Sequence, residues 1–300
     1  MTVDASVDSG SSSGGGSGSG SGADSGSGSG GGSDGAAHDS GAATDASIDV
    51  ATADSGGWTP SSLGSKLAFW LDPTSIVNAA GSVATWRDLS SHGNDATQGT
   101  AAYQPAYSAS GIAGLPSVTF GTVISVLLIA DSSSMQWGTS DFAIFAVFRA
   151  APQNLAPEAM LYQKPQGTAP YTGAALYLNS DKPSTSTLAT AQLQEDVYVD
   201  NSPPPSTFDD SSVHLLAAIR TGTTLAIRVD GALSASTAVS ALDISAPGNQ
   251  AAIGGQVGSA IAGDKQFTGD IAEVLGVDAT LSSTDLGNVE GYLKARYGIP

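Results

Sequence analysis

The sequence predicts an all-β sandwich, and three observations carry that reading. Clusters of Gly, Pro, Asn and Ser punctuate residues 63–300 at short, regular intervals, which suits many short strands rather than βαβ units. The segments between them are apolar on one or both alternating sets of side chains. A single stretch, close to the C-terminus, has helical periodicity.

Taken in order, the segment 141–149 (Asp-Phe-Ala-Ile-Phe-Ala-Val-Phe-Arg) is apolar on both alternating sets, as a strand central to a packed sheet must be. In 173–179, Ala174, Leu176 and Leu178 suit the core, which turns Tyr177 and Asn179 outward. In 195–200, Val197 and Val199 suit the core, which turns Asp196, Tyr198 and Asp200 outward. Two further strands, 213–220 and 224–230, are joined by Thr221-Gly222-Thr223, and Asp230-Gly231 turns the chain again. The helix is capped by Ser282 or Ser283. Leu286, Val289 and Leu293 share one of its faces, Lys294 and Arg296 occupy its last turn, and Gly298 stops it.

Residues 1–62 read as a disordered acidic stalk and 63–300 as the folded domain. Residues 1–57 hold 16 Gly, 15 Ser and 8 Asp but no Lys or Arg, a composition unable to bury enough apolar surface to offset its ordering entropy. The G-x-S-x-G and G-x-G-x-x-G matches inside this stretch lack the strand–turn–helix context that gives such motifs their chemistry. Across the chain, 28 acidic residues face 10 basic ones, so the electrostatic footprint of a nucleic-acid binder is missing. No apolar run approaches the length of a membrane span. The absence of cysteine excludes a disulfide framework, a thiolate metal site and a cysteine nucleophile.

Three blocks carry a family resemblance. The first is Lys66-Leu67-Ala68-Phe69-Trp70-Leu71-Asp72, continued by Val83 to Ser90 and by Gly93-Asn94-Asp95-Ala96-Thr97-Gln98. The second is Arg228-Val229-Asp230-Gly231. The third is Phe267 to Leu275, then Leu281-Ser282 and Gly291 to Gly298. Together they resemble the bacterial laminin G-like, concanavalin A-like lectin and glucanase domains over 63–300. Phe120-Gly121 departs from the Phe-Asp-Gly often found in that family. The resemblance implies a two-sheet antiparallel jelly-roll sandwich, commonly a calcium ion, and binding of glycans or proteins. The stalk resembles the spacer that follows the lipid-modified cysteine of bacterial surface lipoproteins. That implies an extracellular or cell-surface domain, although Met1-Thr2-Val3-Asp4 carries no secretory leader.

Candidate sites follow from residue chemistry. The loop Asp88 to Asp95 offers Asp88, Asn94 and Asp95 as hard oxygen ligands for calcium, or as caps of local backbone groups. If the strands 173–179 and 195–200 share a sheet with 213–220, one outer face presents Tyr177, Asn179, Asp196, Tyr198 and Asp200, with His214 or Arg220 nearby. Aromatic rings beside carboxylates and amides suit a polyol, because sugar C–H faces stack while hydroxyls hydrogen-bond. Ser202-Pro203-Pro204-Pro205 would form a stiff loop at its rim. Trp70 and Trp86 sit among aliphatic neighbours and read as core. Glu273, between Ile271 and Leu275, reads as a structural acceptor. His214 reads as a surface or edge residue.

For catalysis, Glu195-Asp196 and Asp209-Asp210 are adjacent and diverge on a strand, and the Glu-x-Asp-x-x-Glu pattern of sandwich glucanases is absent. The expectation is therefore a monomeric, non-catalytic module for a glycan or other cell-surface ligand, without nucleic-acid or membrane-spanning function. The alternatives are a polysaccharide-cleaving enzyme and a structural adhesion protein.

Overall fold

The computed structural model describes residues 57–121, 124–151, 158–178, 188–201, 208, 210–257 and 265–300. Residues 1–56 of the stalk and the loop 202–205 lie outside the described residues. Among the described residues sixteen strands form: β1 (Leu67–Ala79), β2 (Ser82–Asp88), β3 (Ala96–Thr97), β4 (Ala106–Ile112), β5 (Leu115–Phe120), β6 (Leu127–Ile129), β7 (Phe142–Ala150) and β8 (Ala159–Pro165), then β9 (Gly173–Leu178), β10 (Ala189–Gln194), β11 (Val197–Asp200), β12 (His214–Thr221), β13 (Thr224–Val229), β14 (Ala232–Ala238), β15 (Ala251–Ile253) and β16 (Gly269–Val277). One helix, α1 (Ser283–Tyr297), follows.

Every pairing among these strands is antiparallel. One arm runs β11-β10-β9-β8-β15-β6-β3-β2, the other β4-β5-β16-β7-β12-β13-β14, and β1 bridges β2 and β16. The arms close on one another. Leu176, Leu178 and Ala191 of the first share a core with Phe148, Leu216, Ile227 and Val274 of the second, and β10 and β11 pack against β13 and β14. A row of rings runs through that core. Phe69 stacks on Tyr162 at 5.6 Å, and Trp137 lies between Tyr162 and Phe142 at 6.0 and 5.0 Å.

The both-sided apolarity of 141–149 has its cause here. One face of β7 meets the shared core, and the other meets a second cluster beneath α1 that holds Trp70, Phe145, Leu215, Leu275, Val289, Leu293 and Tyr297. The helix begins where Ser282 Oγ accepts from the Asp285 amide, and it ends at Gly298, whose φ of 66° is left-handed. Three hairpins turn through Ala80-Gly81, Ala113-Gly114 and Asp230-Gly231, each pair at positive φ, the geometry that matches strand twist. The fold also reaches upstream of residue 63: Pro60 is buried, and Trp58 meets Tyr292 edge-on at 6.0 Å.

Two expectations about neighbours are corrected. β12 pairs with β7 and β13, in the other arm from β9 and β11, so residues 213–220 contribute nothing to the face built by Tyr177 and Tyr198. His214 is 5% exposed, not a surface residue. Its Nδ1 lies 3.0 Å from Asp230 and its Nε2 3.3 Å from Asp210. Burial opposes the charged ring, but the two carboxylates outweigh it and hold the pKa of His214 above its ordinary 6.5.

Trp70 and Trp86 are core, as their neighbours imply. Glu273 is a buried acceptor, taking 2.6 Å and 2.7 Å hydrogen bonds from Trp70 Nε1 and Tyr297 Oη. Arg296 stands 3.5 Å from it and 2.5 Å from Asp72, so a charged network ties α1 to β1 and β16. Burial pushes the Glu273 carboxyl up to about 7, against the pull of Arg296 and the two donors.

Candidate binding face on strands β8 to β11

The loop proposed from sequence for calcium is a capped turn. Asp88 Oδ1 accepts from the amides of Trp70 and Ser90, and Oδ2 from Ser90 Oγ and the Asn94 amide. Asp95 Oδ1 accepts the Asp88 amide. Asn94 donates to the Ala68 carbonyl and to Ser134, and its oxygen accepts from Ser132. Both Asp88 carboxylate oxygens, Asp95 Oδ1 and Asn94 Oδ1 thus accept from backbone or hydroxyl donors. Among the described residues no group of three or more His, Asp or Glu side chains is arranged to hold a metal ion.

Strands β9 and β11 do belong to one sheet, with β10 between them. Registers place Met160, Tyr177, Thr190 and Asp200 in one cross-strand row, and Gln163, Ala175, Gln192 and Tyr198 in the next. All point away from the shared core, as the alternation of 173–178 predicts. Tyr177, however, is only 4% exposed and packs with Met160 and Ala175, so it is not a contact surface. This corrects the reading that an outward tyrosine is a solvent-facing one. Tyr198 and Asp200 are half-buried, and Asp200 accepts from Thr190 Oγ1 at 2.7 Å. Asp196 is exposed in the turn between β10 and β11. Asn179 lies outside the described residues.

On this face opens a pocket of about 350 Å³, within the range of small-molecule sites. Met160, Gly173 and Ala175 give it an apolar floor. Gln163, Gln192, Gln256, Glu158, Glu195, Lys265 and Tyr171 stand around it. The low floor requires glycine at 173, because a Cβ there would lie 2.0 Å from the Lys164 carbonyl oxygen. Gln163 is 8% exposed; its oxygen accepts from the Val257 amide at 3.4 Å, and no described residue accepts from its Nε2. Gln192 Nε2 reaches the Glu195 carbonyl at 3.4 Å. Lys265 is paired to Glu158, and its carbonyl accepts from the Met160 amide at 3.2 Å.

Backbone strain singles out the same place. Apart from the three hairpin pairs, the non-glycine residues held at positive φ among the described residues are Glu158, Tyr171 and Ser211. Two of the three line this pocket. A left-handed conformation is costly for a bulky side chain and persists only where surrounding structure enforces it. Here the 166–172 loop is pinned by Gln166 N to Thr172 O at 2.7 Å and Tyr171 N to Thr168 O at 2.9 Å. The result is a tyrosine ring 54% exposed at the pocket's edge.

Sequence reading missed Tyr171, Gln163, Gln192, Glu158 and Lys265 in this role. Tyr171 lies in a loop with no alternation to follow, although Thr168-Ala169-Pro170-Tyr171-Thr172-Gly173 has the composition of a shaped turn. Trp137 is buried in the ring stack.

No protein-family model and no curated protein sequence matches the chain. Solved structures share its fold at low identity. The binding domain of Paraclostridial Mosquitocidal Protein 1 superposes with a TM-score of 0.56 at 13% identity, covering 79% of this chain and 56% of that one. An arabinofuranosidase complexed with arabinofuranosyl-α-1,2-xylobiose gives 0.55 at 14%, over 72% and 51%. This chain thus spans about half the length of each. Domain 4 of AbnA, an extracellular arabinanase from Geobacillus stearothermophilus solved with arabinotriose, gives 0.50 at 14%, over 75% of this chain and 98% of that domain. What these likenesses establish is a β-rich fold shared with binding domains and with chains of glycosidases.

Proposed function

We propose that the domain is a non-catalytic glycan-binding module of the laminin G-like, jelly-roll kind, displayed outside the cell. Its site is the β8–β11 pocket rather than the whole sheet face. The observation that carries this is Tyr171, an exposed ring held in a strained conformation above amides and carboxylates. A sugar ring can stack on it while Gln163, Gln192 and Glu195 exchange hydrogen bonds with hydroxyls. The arabinotriose-bound AbnA domain, matched over nearly its whole length, supports the reading as a fold precedent.

A second reading is polysaccharide cleavage, favoured by two carboxylates, Glu158 and Glu195, lining one pocket. Against it, Glu158 is engaged by Lys265.

One experiment separates the two. The full chain and its Tyr171→Ala variant are applied to a glycan array, and bound polysaccharides are assayed for newly released reducing ends. Binding by the wild type, its loss in the variant and no new ends are the expected results. Equal binding by the variant would move the site elsewhere; released ends abolished by Glu195→Gln would establish the enzyme.

A further inference from the structure

Resting on the glycan-binding reading, we infer that the β8–β11 pocket selects neutral, hydroxyl-rich chains and rejects acidic ones such as uronates and sulfated sugars. The inference comes from where the charges of this face are committed.

Among the described residues, Lys265 is the one basic side chain lining the pocket, and it is taken by Glu158. The next basic residue along β8, Lys164, is 2% exposed. Its Nζ is held by Asp131 at 2.9 Å and by the Ala246 carbonyl at 2.9 Å. Strands β9, β10 and β11 carry no Lys or Arg, whereas Glu195 lines the pocket and Asp196 and Asp200 follow on the same hairpin. The domain as a whole adds to the field, with 20 acidic residues against 10 basic ones over 63–300. Among the described residues, a carboxylate or sulfate arriving here meets like charge and reaches a pocket-lining cation only by breaking an existing ion pair. Recognition of such groups ordinarily uses guanidinium forks or lysine point charges.

Other groups lining the pocket suit the opposite ligand. The side-chain amides of Gln163 and Gln192 each carry a donor and an acceptor end, as hydroxyls do. Glu195 accepts from hydroxyl donors, which a neutral sugar has and an ionised carboxylate lacks. The Gln163 amide nitrogen, at the pocket and with no acceptor among the described residues, is free to donate to a ligand oxygen. Discrimination is thus built from repulsion as well as attraction.

The test measures binding of the full chain to debranched arabinan, xylan and mannan, and to polygalacturonate and chondroitin sulfate. It is run at low salt and near 1 M salt, where the Debye length shrinks to about 3 Å. A glycan array holding both neutral and acidic sugars is read alongside. At low salt, neutral chains should bind at least about ten-fold more tightly than acidic ones, the gap narrowing as salt screens the repulsion. Exchanging Glu195→Gln and Asp196→Asn together should narrow the same gap at low salt. Preferential, salt-sensitive binding of an acidic chain would overturn this selectivity while leaving the glycan-binding reading intact. Binding of no sugar, neutral or acidic, would overturn that reading and the inference with it.

Discussion

The backbone amide of Glu195 donates to the carbonyl of Pro170 at 3.3 Å, so the β10–β11 turn and the loop bearing Tyr171 are joined directly. These two parts of the pocket rim are therefore coupled rather than independent loops. A ligand meeting it pays little to order it, which favours affinity from a small contact area.

Tyr171 gives the sharpest separation of stability from function. Because φ is 52° there and the ring is 54% exposed, Tyr171→Gly should relieve strain and lose little packing. The variant is expected to be as stable as the wild type or more stable by up to about 1 kcal/mol. It should nevertheless lose glycan binding. Denaturant unfolding and array binding, measured on one preparation, check both halves.

The two tyrosines of the sheet face should now behave differently. Tyr177, 4% exposed, is expected to cost about 3 kcal/mol or more on truncation to Ala. Tyr198, half-buried next to Val199, should cost less than about 1.5 kcal/mol, between an exposed strand position and a core one. Equal losses in urea titrations would mean that the burial difference between the two rows carries no energetic weight.

Asp88 tests the loop. Its carboxylate satisfies three backbone amides and one hydroxyl, so Asp88→Ala should destabilise by roughly 2–4 kcal/mol as those donors lose their partner. Millimolar calcium should leave the wild-type melting temperature where it is, since a ligand that binds only the native state would raise it. A calcium-dependent rise abolished by Asp95→Ala would restore the metal site.

Stability should fall as pH rises from about 5 to 8. Glu273 has its pKa raised to about 7 from 4.5, so the folded state binds a proton that the unfolded chain has released across that window. His214 acts in the same direction: its raised pKa favours folding below 6.5, and that contribution disappears as pH climbs through the folded value. Melting temperature plotted against pH should therefore slope downward. Glu273→Gln and His214→Asn should each flatten it. An unchanged slope in both would show that neither group is linked to folding.

What the sequence discloses follows the physics of each element. Strand β7 and helix α1 are legible because burial on a face leaves a period: Phe142 to Phe148 on both sides, and Val289 and Leu293 on one. The direction of Tyr177 is legible for the same reason. Its burial is not, because alternation reports which side a residue takes and is silent about what covers that side. The partners of Asp88 were readable as local caps, since acceptor and donors lie within a few residues for Ser90 and Asn94. His214 was not, because Asp230 reaches it across a hairpin. The pocket itself assembles the 166–172 loop, a turn at 195–196 and Lys265 from far downstream, and such convergence leaves no trace in spacing.

The pairing of β1 with β16 also sets an order of events. Trp70 finds its carboxylate partner 203 residues later in the chain, and the Arg296 that engages Asp72 comes later still. A polypeptide emerging from the ribosome can zip its local hairpins but cannot complete either face of β7 until the last strand and helix appear. Such long-range closure is slow and leaves apolar surface uncovered meanwhile. The first strand of the domain must wait, exposed, for its end.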